Sequence, residues 1–221
     1  MPTIFSAKLD GSEAVRYHHI SLVVFYLCQA RERALSAASE PAGEAQFAEA
    51  LLTVILAAMC LEAFANESGE NILDGGALAD FLRCRRKYQM PEGMGSVAWK
   101  LSVVFEKKWG VALARDADPL AQVEALFDMR NALVHYNLSE SAAKTYLPPP
   151  AQLTDLDTGQ VMTVFDFELP PTRSEESLVR QVNAAAAARA YNTALRTLKL
   201  WNEKAGPPPH TLSTHTVLPE S

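Results

Sequence analysis

The sequence predicts an all-α fold, an up-and-down bundle of about five to six helices with a small β-hairpin insertion near residues 151–169. Three observations carry this reading. Apolar residues recur at helical spacing through most of the chain, and glycine and proline fall mainly between the periodic segments. One stretch breaks the rule, because Val161, Thr163, Phe165 and Phe167 alternate with Met162, Val164 and Asp166 at the period of a strand. With 221 residues, 48% of them hydrophobic, the chain can bury one sizeable core. We expect a single domain over 1–205, with the hairpin insertion at 147–171 and a disordered Pro- and Thr-rich tail at 206–221.

The first helix is expected from Ser12, as N-cap, to Ala38, with an apolar face through Val15, Ile20, Val23, Val24 and Leu27. The second runs from Gly43 to Glu67 and is apolar almost all round, which marks it as the central element. "GENILDGG" closes it and opens a shorter third helix through Leu78, Phe81, Leu82 and Tyr88, stopped near Pro91. Val97 to Trp109 forms a fourth, amphipathic helix ending at Gly110. The "DADP" turn starts the fifth, with Asp118 as N-cap and Pro119 at the first helical position, and its periodicity extends to Ala143. After the hairpin, a long final helix starts at Ser174 and packs through Leu178, Val182, Ala186, Tyr191, Leu195, Leu198 and Trp201.

Composition removes several function classes. A net charge of −6 with 21% charged residues gives no broad basic surface for duplex DNA, so any nucleic-acid contact is local. The apolar segment 48–67 is broken by Glu49, Thr53, Glu62, Asn66 and Glu67, short of the roughly 18 uninterrupted apolar residues of a membrane span. The first residues lack the pattern of a secretory signal, and a cytoplasmic protein is expected. Cys28, Cys60 and Cys84 are odd in number and widely spaced, which suggests small core residues rather than disulfides or a zinc site. There is no GxSxG elbow, no GxGxxG after a strand and no Walker lysine, and no dense set of metal-ligating side chains, so no metal or other cofactor is expected.

Chemistry concentrates in "DMRNALVHYN", residues 128–137. On a helix Asn131 and His135 share a face, and Arg130 swings across it from the preceding position. A guanidinium grips a phosphate bidentately, and an imidazole exchanges a proton near neutral pH, as cleavage of a phosphodiester requires. The same residues also allow a purely structural reading, with Arg130 paired to Glu62 or Asp128 and His135 satisfied in a polar pocket. Glu62 and Asn66 share a face of the central helix and suit a supporting role behind Arg130 or His135, with Glu62 the more buried of the two. Arg83, Arg85, Arg86 and Lys87 form a local basic run beside Tyr88, suited either to single-stranded RNA or to a solvated helix end. His18 and His19 are adjacent on the expected helix and point about 100° apart, a poor geometry for one ion. Trp99, Trp109 and Trp201 sit among Leu and Val as packing residues, and His210 and His215 fall in the tail without a role.

"RNALVH" resembles the R-x4-6-H signature of the HEPN superfamily, in which a polar residue, often Asn, follows the Arg. The apolar helix "LLTVILAAMCLEAFANE" is similar to the LEAF-x-N helix of many bacterial HEPN-like proteins, and the resemblance covers Ser12 to Asn137. It implies a metal-independent endoribonuclease that cleaves RNA by 2′-OH attack, leaving a 2′,3′-cyclic phosphate and a 5′-hydroxyl. Arg130 would bind the scissile phosphate, His135 would act as acid and base, and Asn131 would orient one or both. It also implies a homodimer with the two motifs facing each other, and a toxin–antitoxin or defence setting with an antitoxin or nucleotidyltransferase-type protein partner. The family includes non-catalytic members, so a nucleotide-binding or protein-interaction module is the alternative.

Overall fold

The computed structural model describes residues 3–83, 90–135, 142–155, 157, 159–205 and 210–220. The protein is mostly helical, a helical bundle with a small antiparallel sheet component. The elements are β1 (Thr3–Asp10), β2 (Glu13–Ile20), α1 (Val23–Ser39), α2 (Glu44–Ile72), α3 (Gly75–Leu82), α4 (Ser96–Trp109) and α5 (Leu120–Val134). They are followed by β3 (Lys144–Tyr146), β4 (Ala151–Thr154), β5 (Val161–Val164), β6 (Arg173–Glu175), α6 (Leu178–Gln181), α7 (Ala184–Ala205) and α8 (His210–Ser213).

The central helix is α2, against which α1, α4, α5 and α7 all pack. Small residues let α1, α2 and α7 approach closely: Ala30 and Ala37, Ala50 and Ala57, and Ala187 and Ala194 are fully buried. On its other side α2 meets Leu101 and Phe105 of α4 and Leu120 and Val123 of α5. Three aromatic rings meet Trp201 of α7 edge-on, with centroids at 5.4 Å (Phe64), 5.0 Å (Phe105) and 5.4 Å (Trp109), and tie α2, α4 and α7 together. Trp99 packs on Phe81 at 5.9 Å, so all three tryptophans serve packing. Length and apolar composition alone would let α2 cross a membrane. Here it is the helix on which the bundle is built.

α2 and α4 follow the sequence closely. Gly43 is the N-cap of α2, and α2 runs past Glu67 because Ser68 and Gly69 turn inward and are buried. α4 ends at Gly110, whose φ of 64° closes the helix in the left-handed region that favours glycine. α3 ends at Leu82, and Tyr88, expected to belong to it, lies outside the described residues.

Four expectations are corrected. The segment expected to open the first helix at Ser12 is a strand, and the helix starts only at Val23. Asp10 pairs with Glu13 across the two-residue turn Gly11–Ser12, in which Gly11 has φ 62°, so "GS" acts as a hairpin signal. Tyr17 and Ile20 suit a strand better than a helix start, and His18 and His19 lie in β2.

The fifth helix stops at Val134, well before Ala143, with His135 as its C-cap (φ −102°, ψ 44°). By Lys144 the chain is paired as β3 with β6, which no helix through Ala143 could accommodate. At its start Pro119 is the N-cap, one residue later than expected, and the Asp118 carboxylate accepts a hydrogen bond from Gln122 Nε2 at 2.6 Å.

The hairpin at 151–169 is present, with Ala151 opposite Val164 and Thr154 opposite Val161, but β3 and β6 extend it to residues 144–175. Pro148, Pro149 and Pro150 offer no N–H to a ladder and separate the two paired regions. The long final helix therefore does not begin at Ser174, which pairs with Thr145. It begins at Ala184, where Asn183 Oδ1 accepts the Ala186 N–H at 3.1 Å.

The described part of the tail expected to be disordered, residues 210–220, is instead docked on α1 and α7, through Cys28 of α1 and Tyr191, Asn192 and Lys199 of α7. Leu212 and His215 are 5% and 6% exposed. A few anchors suffice, because Asn192, Lys199 and Tyr191 supply polar partners to a segment of otherwise polar composition.

Candidate functional site

α5 carries Arg130 and Asn131 side by side, and Arg130 Nη1 donates a 2.9 Å hydrogen bond to Asn131 Oδ1. Both border a cleft of about 130 Å³ between α2, α4 and α5, closed by Glu62, the first turn of α4 (Gly95 to Ala98), and Val123, Glu124 and Phe127. Glu124 fixes this wall. Its carboxylate accepts the Gly95 N–H at 3.2 Å and pairs with Arg115 at 3.3 Å. Arg115 in turn donates to the carbonyls of Glu92 at 2.9 Å and Gly93, which sets the loop ahead of α4.

Gly95, the N-cap of α4, has no side chain to cap the helix, and beyond the Gly95 N–H taken by Glu124 the first turn of α4, positive end of the helix dipole, borders the cleft. A guanidinium, an amide and a helix N-terminus thus face one small space, opposed by the Glu62 carboxylate and by that of Glu124, which is paired with Arg115 and already accepts the Gly95 N–H. Such a set binds an anion where Arg130 and the remaining first-turn N–H groups of α4 outweigh Glu62, Glu124 being balanced by Arg115.

Arg130 is half-buried, Asn131 and His135 are exposed, and among the described residues Arg130 forms no ion pair with Glu62 or Asp128. His135 is not sealed in a polar pocket. It sits one turn beyond Asn131, whose carbonyl accepts the His135 N–H at 2.8 Å, and it does not line the cleft. The structure therefore unites Arg130, Asn131 and Glu62 and leaves His135 beside them.

The two supporting residues behave differently from expectation. Glu62 is exposed rather than buried, because it lies about 100° around α2 from the fully buried Leu61 and faces the cleft. Asn66 serves another residue, its Oδ1 accepting from Lys100 Nζ at 2.8 Å. Lys100 is only 6% exposed, also donates to Leu82 O at 3.4 Å, and lies 5.5 Å from the Phe81 ring. Its ammonium closes the C-terminal end of α3, where cations are favoured. Its place on the apolar face of α4, three residues after Val97 and four before Val104, is a signal that the sequence offers.

Arg83 is exposed at the end of α3, and Arg85, Arg86 and Lys87 lie outside the described residues. Cys28 and Cys60 are free thiols, and Cys84 also lies outside the described residues. Burial pushes both described thiols up from their ordinary value, Cys60 strongly. Among the described residues no group of three or more His, Cys, Asp or Glu side chains could hold a metal ion.

No family model, curated protein or solved structure matches the chain.

Proposed function

We propose that the chain is a HEPN-type endoribonuclease, metal-independent and active on RNA as a homodimer, with the helices arranged as the up-and-down bundle of that superfamily. The observation that carries this reading is the adjacent Arg130–Asn131 pair at an open cleft beside the N-terminus of α4. An RNA phosphodiester is the anion that suits it. Arg130 and the α4 N–H groups hold the non-bridging oxygens and stabilise their growing charge. Asn131 keeps the guanidinium in place, and His135 moves the proton between the 2′-OH and the leaving oxygen.

His135 does not line its own chain's cleft, which supports a shared site in which a second copy brings its motif opposite. An apolar stripe on α2 supports the same arrangement: Leu52, Leu56, Met59 and Ala63 fall on one face, with Leu52 43% and Met59 36% exposed. Val134, next to His135, is 50% exposed and extends the apolar surface toward the motif. The proposal includes a cytoplasmic location and a toxin–antitoxin or defence role with an antitoxin or nucleotidyltransferase-type partner.

The same position of His135 also favours a second reading, a non-catalytic module that docks a phosphate in the cleft. End-group analysis separates the two. Single-stranded RNA incubated with the purified chain in excess EDTA yields fragments ending in 2′,3′-cyclic phosphate on the first reading. RNA that is bound but left intact supports the second.

A further inference from the structure

The C-terminal segment Leu212–Glu220 lies between α1 and α7 and is held along its backbone. Asn192 of α7, fully buried, accepts the Leu218 N–H at 2.8 Å and donates to the Leu218 carbonyl at 2.8 Å. Its Nδ2 also reaches Glu220 Oε1 at 2.7 Å, and Arg196 pairs with the same carboxylate at 3.2 Å. Lys199 Nζ donates to the His215 carbonyl at 2.9 Å.

At the centre of the segment sits the His215 ring, with both nitrogens engaged: Nδ1 lies 2.9 Å from the Tyr191 hydroxyl and Nε2 lies 3.7 Å from Cys28 Sγ. A neutral ring satisfies both, accepting the Tyr191 O–H at Nδ1 and pointing Nε2–H at the sulfur. The charges around it are mostly of one sign. Arg31 of α1, hydrogen-bonded to Tyr191, and Lys199 of α7 act directly on the ring. Glu32 of α1 acts on the Cys28 thiol and is held by Gln29 at 2.9 Å, while Glu220 is engaged by Asn192 and Arg196. Among the described residues no carboxylate touches the ring.

We propose that Leu212–Glu220 is a releasable latch, closed while His215 is a neutral imidazole and opened when the ring takes a proton. A protonated ring would be a third cation beside Arg31 and Lys199, and its Nδ1–H would turn away the Tyr191 O–H, whose oxygen is already engaged by Arg31. Release would uncover the apolar floor beneath Leu212 and Leu218 and free the Asn192 amide, leaving a groove shaped for an extended chain.

Burial, Arg31 and Lys199 all hold the docked ring below its ordinary value. A free segment takes its proton near pH 6.5 and the docked one only at lower pH, so docking is at full strength above about pH 6.5. It weakens as the pH falls from there through the value of the docked ring.

Hydrogen exchange on the full chain at pH 7.5 and pH 5.0, corrected for intrinsic rates, tests the latch. Amide protection across 212–220 falls between the two pH values, by at most about 30-fold given the roughly 1.5 units from 6.5 down to 5.0, while protection in α2 and α4 holds. His215→Gln, which keeps a neutral donor and acceptor, loses this pH dependence. Protection that is unchanged between the two pH values, or that falls equally in the variant, overturns the proposal. Ring titration of His215 by NMR in the unaltered chain is a second check that needs no variant, and a midpoint at or above about 6.5 overturns it as well.

Discussion

Arg130 and Asn131 are linked side chain to side chain at 2.9 Å, so the amide holds the guanidinium at the mouth of the cleft rather than facing it independently. Removing the amide frees the guanidinium without removing its charge. Asn131→Ala is expected to lower RNA cleavage about tenfold, in line with one oriented hydrogen bond to a charged group, and to leave RNA binding nearly unchanged. Arg130→Ala weakens both. Binding and single-turnover cleavage measured on the two variants would show this split.

Lys100 joins three elements from a buried position, through Asn66 of α2 and the last carbonyl of α3. Lys100→Ala leaves both acceptors unpaired and opens a gap against Phe81, and is expected to destabilise the protein by about 2–4 kcal/mol. Chemical denaturation gives the magnitude. Hydrogen exchange should show α3 loosening first.

Gly69 lets α2 and α3 touch, because a Cβ there would run into the Phe81 ring. Phe81 is 2% exposed and cannot simply swing into solvent. Gly69→Ala should therefore destabilise by about 1–3 kcal/mol, the usual range for overpacking, and trimming the ring with Phe81→Leu should recover part of that loss. Thermal melts of the two single variants and the double variant test the coupling.

How much of this was legible in the sequence differs from one element to the next. α2 and α4 were readable because their apolar periodicity agrees with the caps observed at Gly43 and Gly110. The N-terminal hairpin is hard to read because the helix-compatible run around Val23 and Leu27 masks the Gly11–Ser12 turn. The end of α5 depends on β3 pairing with β6 about 30 residues later in the chain, a non-local contact that periodicity does not report. In the site, Arg130 and Asn131 were found by residue type and spacing. The roles of Glu62 and Asn66 were not, since which side of an almost uniformly apolar helix faces a cleft is set by the packing of α4 and α5.

Tyr191 links the latch to alkaline stability. Burial pushes its hydroxyl up to about 12. The unfolded chain ionises this group near pH 10 while the native state keeps its proton, so the contribution of the buried phenol is complete below pH 10 and is lost as the pH rises toward 12. Each unit of difference corresponds to about 1.4 kcal/mol. Tm should fall over that interval, less steeply in Tyr191→Phe, and tyrosinate absorbance should show one late-titrating group that this variant lacks.

Cleavage of RNA by Arg130 and His135 without a metal is what we propose for this chain. It is tested most directly by single-turnover cleavage of a labelled single-stranded RNA in excess EDTA, comparing the unaltered chain with Arg130→Ala and His135→Ala. Cutting by the unaltered chain is expected, with losses of about 100-fold or more in each variant, the scale of losing a charge-stabilising or proton-transferring group. Intact RNA with the unaltered chain, or cleavage that survives both substitutions, would contradict it.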